Sequence, residues 1–189
     1  MCGIVGITGE RPVAERLLSG LKQLEYRGYD SAGVATLAEG RIERRRASGK
    51  LSALAERLID TPLSGTTGIG HTRWATHGAP TETNAHPHAT KRVAVVHNGI
   101  IENYRPLLGN LAADGYLPTS QTDSEVVALL VTRAMDLGLS AEEAVHTTLS
   151  KLKGAYALVF LFEDQDGLLI AARHGAPLAI GYGTAEMDL

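Results

Sequence analysis

The sequence predicts a single α+β domain whose sheets are covered by helices. Turn signals join extended runs into hairpins, residues 32–37 with 41–47 and residues 155–162 with 168–172. Leucine-rich stripes at helical spacing separate those strands. A length of 189 residues, with 44% hydrophobic and 21% charged content, suits one soluble domain with a sizeable core.

The first strand is expected over residues 4–8. Pro12 suits a helix start, and Val13, Leu17, Leu18, Leu21 and Leu24 form a helical stripe after it. Residues 26–30 read as a loop, and the first hairpin turns at Glu39-Gly40. A helix over 51–59 and a short strand over 68–72 come next. Residues 73–91 show no periodicity and are rich in His, Thr, Pro and Gly, a composition and length that point to a functional or a disordered segment. A strand over 93–97 leads to a helix over 103–114, ended by Gly115. The helix over 124–137 is strongly apolar. Ser140 with Glu143 forms a capping box for a further helix running to about residue 152. Strands over 155–162, 168–172 and 178–182 finish the chain, the first two paired around Gln165-Asp166-Gly167. The glycines at 28, 33, 65, 68 and 70 do not form a phosphate-cradling pattern and read as turn residues.

A net charge of −3 gives no signal for nucleic acid, and the one basic cluster, Arg44-Arg45-Arg46, reads as a solvated strand end. The amino-terminal residues do not have the pattern of a signal peptide, and the longest apolar run, residues 155–162, is too short to span a bilayer. With one cysteine no internal disulfide forms, so a reducing, cytoplasmic setting is expected.

That cysteine, Cys2, follows the initiator methionine. Removal of Met1 would leave a thiol and a free α-amine on one residue. An α-amine titrates at about 7.7–8.0, near working pH, so it can act as base for an adjacent nucleophile. The alternative is a small residue opening a buried strand. Three polar groupings bear on the choice. In Arg73-Trp74-Ala75-Thr76-His77-Gly78 an arginine fork on a loop could take a carboxylate, or it could make a surface ion pair. His97-Asn98-Gly99 is either a type I′ hairpin turn or an oxyanion hole built from the Asn98 amide and the Gly99 N–H. Asp123, in Thr122-Asp123-Ser124-Glu125, is either a helix cap, a partner for a substrate ammonium, or both. His71, His77, His86, His88 and His97 raise a competing metal chemistry. There is no His-Glu-x-x-His pair, however, and His86-Pro87-His88 lies on a proline loop that would fix two ligands poorly. No metal and no cofactor are expected.

The opening Met1-Cys2-Gly3-Ile4-Val5-Gly6 resembles the start of the class II glutamine amidotransferases, which belong to the N-terminal-nucleophile hydrolases. Tyr26-Arg27-Gly28-Tyr29-Asp30-Ser31-Ala32-Gly33, the His71–Gly78 stretch, His97-Asn98-Gly99-Ile100-Ile101-Glu102-Asn103 and Thr122-Asp123-Ser124-Glu125 narrow it. Together they resemble the glutaminase domains of the glutamine–fructose-6-phosphate aminotransferase family, over residues 1 to about 182. The resemblance implies a four-layer αββα sandwich. It implies that Cys2 attacks the side-chain amide of L-glutamine, with its α-amine shuttling the proton through a γ-glutamyl thioester. Asn98 and Gly99 would hold the oxyanion, Arg73 the α-carboxylate and Asp123 the α-ammonium. Thr76 and His77 would complete a glutamine loop over residues 73–81 that closes on binding. Trp74 would gate the passage of ammonia, and His86 would support the site.

The resemblance also implies what lies beyond this stretch. Family members continue into sugar-phosphate isomerase domains that convert fructose 6-phosphate to glucosamine 6-phosphate, and they form homodimers when full length. Residues 1–189 are therefore expected to be one partial glutaminase domain, truncated at its C-terminal side, with glutamine as substrate, the isomerase domains as partners, and no nucleic acid or membrane. A glutaminase domain of another class II amidotransferase and a non-catalytic glutamine-binding module are the alternatives.

Overall fold

The computed structural model describes residues 2–74 and 78–183. The chain runs β1 (Gly3–Thr8), α1 (Ala14–Leu24), a 3-10 turn (Glu25–Arg27), β2 (Ser31–Ala38), β3 (Arg41–Ser48), α2 (Leu51–Asp60) and β4 (Thr67–Arg73). It continues through β5 (His88–Ala89), β6 (Val93–Gly99), α3 (Tyr104–Ala113), α4 (Glu125–Asp136), α5 (Ala141–Leu149), β7 (Tyr156–Phe162) and β8 (Leu169–His174). Two four-stranded antiparallel sheets result, ordered β1-β4-β2-β3 and β5-β6-β7-β8.

Four layers follow from which faces are apolar. The sheets meet through Ala35, Leu37 and Ile69 of the first and Ala94, Val96, Val159 and Leu161 of the second. On the outer face of the first sheet, Leu17 and Leu21 of α1 and Leu51 and Leu54 of α2 pack around Val34. On the outer face of the second, α4 and α5 pack with Leu111 of α3 onto Val93, Val95, Leu158 and Phe160. Side chains alternate across a strand, so β2 feeds both cores, while β4 gives Ile69 to the inner one and lets Leu17 and Leu21 approach at Gly68 and Gly70 on the other. The α+β sandwich expected from the sequence is the observed architecture.

The first hairpin turns at the expected pair. Glu39 (φ 50°) and Gly40 (φ 75°) both take the positive φ of a type I′ turn. The Ser140–Glu143 capping box forms with both its hydrogen bonds. The helix it starts ends at Leu149, short of residue 152, and finishes in a turn.

Three expectations are corrected. Residues 178–182 form no strand: among the described residues no strand pairs with them, and without a ladder partner their backbone stays irregular and largely exposed. The aperiodic 73–91 stretch contains the two-residue strand β5, too short to leave a pattern. Gly33, Gly68 and Gly70 are strand residues, not turn residues. A Cβ on Gly33 would lie 2.2 Å from the His86 carbonyl oxygen, so glycine there allows a close backbone approach.

Candidate active site

The ends of β1, β4 and β6 and the start of α4 converge on one small, open pocket. Its walls include Cys2, Arg73, Trp74, His86 and Gly99, with Asp123 and Ser124 across from them. Cys2 enters through sheet register: Gly3 pairs with Thr72, which brings residue 2 beside the end of β4. There Cys2 Sγ accepts a hydrogen bond from the Trp74 backbone N–H at 3.2 Å. The Trp74 ring is part-exposed and lies edge-on to Tyr29 at 5.4 Å.

Asn98 reaches the same point from the second sheet. Strand β6 runs straight through His97, Asn98 and Gly99 and pairs with β7 over its whole length. The Asn-Gly pair is therefore not a hairpin turn. The Asn98 amide nitrogen donates to the Cys2 carbonyl at 3.0 Å. Gly99 has φ +128°, and a Cβ there would lie 2.1 Å from the Ala155 carbonyl oxygen. Only glycine holds this backbone without strain.

Arg73 is 4% exposed. Its guanidinium donates to the carbonyls of Gly78 and Ala79, each at 3.3 Å. Burial lowers its pKa, against the opposing pull of Asp30 and Asp123. Asp123 is not the cap of α4; Ser124 occupies that position, with no side-chain cap bond. Asp123 Oδ2 instead accepts from the Ile101 backbone N–H at 2.7 Å. Its Oδ1 is within 3.4 Å of the Ser124 hydroxyl. A carboxylate only accepts, so Ser124 donates to it and accepts a hydrogen bond from His97 Nδ1 at 2.8 Å.

Behind the pocket lies a cluster of buried imidazoles. His86 lies against His71 at 4.1 Å with the rings tilted by 55°, and meets His88 at 4.6 Å and His97 at 6.5 Å. Burial drives every one of them toward the neutral form: His71 and His88 are lowered to about 3, His97 to about 4, and His86 well below its ordinary value. Neither ring nitrogen of His86 has a hydrogen-bond partner among the described residues. No three His, Cys, Asp or Glu side chains among the described residues are grouped so as to hold a metal ion.

The basic cluster is not a solvated strand end. Arg46 Nη1 donates to the carbonyls of Thr83 at 3.0 Å and Ala85 at 2.9 Å, and Arg44 Nη1 to that of Pro87 at 3.0 Å. These bonds tie the loop carrying His86 to β3. The structure thus brings Cys2, Arg73, Trp74, His86, Asn98, Gly99 and Asp123 together, while Thr76 and His77 lie outside the described residues. Sequence reasoning gave no role to His71, whose Nε2 lies 2.9 Å from Asn98 Oδ1. The available signal was strand alternation, which puts His71 on the same face of β4 as Arg73. Ser124 was missed because its partner His97 lies 27 residues away in sequence.

Residues 71–186 match the family described as "Glutamine amidotransferase domain", which covers more than half of the chain. The whole chain is 61% identical to glutamine–fructose-6-phosphate aminotransferase [isomerizing] of Rhizobium meliloti (strain 1021), covering 31% of that protein. Against the protein of the same name from Bartonella quintana (strain Toulouse) the identity is 59%, over 98% of this chain and 31% of that one. The chain therefore spans about a third of the length of these relatives. Among solved structures, the glutamine phosphoribosylpyrophosphate amidotransferase from B. subtilis is similar with a TM-score of 0.74 at 25% identity, over 86% of this chain and 35% of that one. A glutamine aminotransferase class-II domain protein from Silicibacter pomeroyi, at 21% identity and TM-score 0.54 over 78% of this chain and 70% of that one, shares the fold. The family match over more than half of its length shows that this chain belongs to the glutamine amidotransferase domain family.

Proposed function

We propose that residues 1–189 form a glutaminase domain that hydrolyses L-glutamine to glutamate and ammonia. The observation that carries the reading is the convergence in one pocket of a residue-2 thiol, a buried arginine and a carboxylate. An amino acid presents opposite charges at its α-carbon, and Arg73 and Asp123 supply the complement to both. Between them, Cys2 attacks the side-chain carbonyl. The α-amine freed by loss of Met1 takes the thiol proton and passes it to departing ammonia, leaving a γ-glutamyl thioester that water then cleaves. Asn98 and the Gly99 N–H hold the oxyanion. An amide NH₂ has two donor hydrogens, so the one on the Cys2 carbonyl leaves a second for that anion. Trp74, Thr76, His77 and His86 complete the substrate enclosure.

In the longer protein we infer that this ammonia serves the conversion of fructose 6-phosphate to glucosamine 6-phosphate on isomerase domains. The support is the 61% identity to a relative named for the whole reaction. Homodimerisation and a cytoplasmic setting belong to the same proposal. No helix among the described residues is long and apolar enough to cross a membrane.

Intact mass of the protein with and without a glutamine-analogue electrophile tests both requirements together. The expected result is a chain lacking Met1 that gains one label, whereas Cys2→Ala takes no label and does not turn over glutamine. A retained methionine with undiminished glutaminase activity would overturn the mechanism. Activity lost to a chelator and kept by Cys2→Ala would point to metal hydrolysis instead.

A further inference from the structure

His71 makes one interaction whose sense can be deduced. Its Nε2 lies 3.0 Å from the His97 backbone carbonyl oxygen as well as 2.9 Å from Asn98 Oδ1. A backbone carbonyl only accepts, so Nε2 must carry the proton and Nδ1 the lone pair. That tautomer presents a donor to the Asn98 side chain, which must answer with its oxygen. An amide has one oxygen end and one nitrogen end, so fixing the first aims the second at Cys2, where the nitrogen donates to the carbonyl at 3.0 Å. The opposite amide orientation would set oxygen against the Cys2 carbonyl and NH₂ against an N–H.

We infer that His71 is a positioning residue for glutamine hydrolysis: as a neutral Nε2–H donor from the central strand of one sheet, it sets the Asn98 amide on the other so that its NH₂ faces the reacting carbonyl. The inference rests on the oxyanion role given to Asn98 above. Its position supports it, because His71 is fully buried and so has no solvent to exchange partners with. Its Nδ1 has no partner among the described residues. A second proton there would be a buried, unsatisfied donor, which burial disfavours.

The tautomer is read directly by ¹⁵N NMR of the full chain labelled at histidine. The expected result is one imidazole with Nε2 protonated and Nδ1 bare, unchanged between about pH 5 and 8. An Nδ1–H form or an imidazolium at His71 would overturn the inference. Kinetics give the second arm. An oxyanion donor is worth about 100- to 1000-fold in kcat, so misaiming it in His71→Leu is expected to lower kcat about tenfold or more, with KM within about twofold. In an Asn98→Ala background the same change should cost no more than about a further twofold. His71→Gln, which can again offer an N–H, should regain part of the loss. A folded His71→Leu with full kcat, additive losses in the double variant, or a glutamine variant no better than the leucine one would each sink it. If Asn98→Ala itself leaves kcat untouched, the oxyanion assignment fails and takes this inference with it. If Asn98→Ala is impaired and His71→Leu is not, only the role of His71 fails.

Discussion

Arg73 and Asn98 line one site yet should fail in different ways when truncated. The Arg73 guanidinium is held by the Gly78 and Ala79 carbonyls and faces the pocket where a carboxylate would lie. A charge-assisted bidentate contact contributes equally before and during reaction, so Arg73→Ala is expected to raise the KM for glutamine about 100-fold with kcat little changed. The Asn98 bond strengthens only as charge develops on the attacked carbonyl. Asn98→Ala should therefore lower kcat about 100-fold or more and leave KM nearly as it was. Steady-state kinetics of the pair decide the matter: equal losses in kcat without any change in KM would reverse the assignment. Gly99→Ala is a third test. Its Cβ would sit 2.1 Å from the Ala155 oxygen, and the backbone has φ +128°. The expected cost is about 1–3 kcal/mol, seen in urea unfolding, together with loss of turnover as the β6–β7 ladder shifts.

At the scale of elements, β3 acts as a clamp on an irregular loop. Arg46 satisfies the carbonyls of Thr83 and Ala85, and Arg44 that of Pro87, bracketing His86 between them. Burial lowers the Arg46 pKa to about 10, which leaves it a cation at any working pH. Arg46→Met should cost about 1–3 kcal/mol by leaving both carbonyls without a donor, and it should lower kcat/KM by loosening the His86 loop. Arg45→Met is the control. Its guanidinium goes to Thr61, away from the pocket, so activity should persist. If both variants lose activity alike, the clamp is not what matters.

For the whole molecule, neutral buried histidines predict acid sensitivity. His71, His86, His88 and His97 are held uncharged in the folded chain, well below the value near 6.5 that an exposed imidazole has. Below pH 6.5 the unfolded chain takes up protons that the folded chain refuses. Stability is thus fully present above pH 6.5 and is lost as pH falls from there toward about 4, by up to about 1.4 kcal/mol per pH unit for each histidine. Urea midpoints between pH 7 and 4.5 should fall steeply, and His86→Leu should make the fall shallower. A flat profile would show that these rings are protonated or solvated in the native protein.

The residues alone determined the alternation of elements, the hairpin at Glu39-Gly40, the capping box at Ser140 and the chemistry of a residue-2 thiol. Each of these is local, resting on φ preference, on spacing within one helix or on the atoms of a single residue. Residues 178–182 show where that reasoning stops, because an alternating run becomes a strand only where another strand offers it a ladder. Asn98-Gly99 shows the same limit from the other side. Its local signal is a turn, yet β7, brought alongside from more than fifty residues away, holds it straight. Arg44 and Arg46 looked like a solvated charge run and became the tie for a loop 37 to 43 residues further on. Strand alternation places His71 on the Arg73 face of β4, but its role depends on an oxygen across the gap between two sheets. What only the tertiary structure decided is which donor faces which acceptor, because hydrogen-bond sense is a property of pairs and these pairs are distant in the chain.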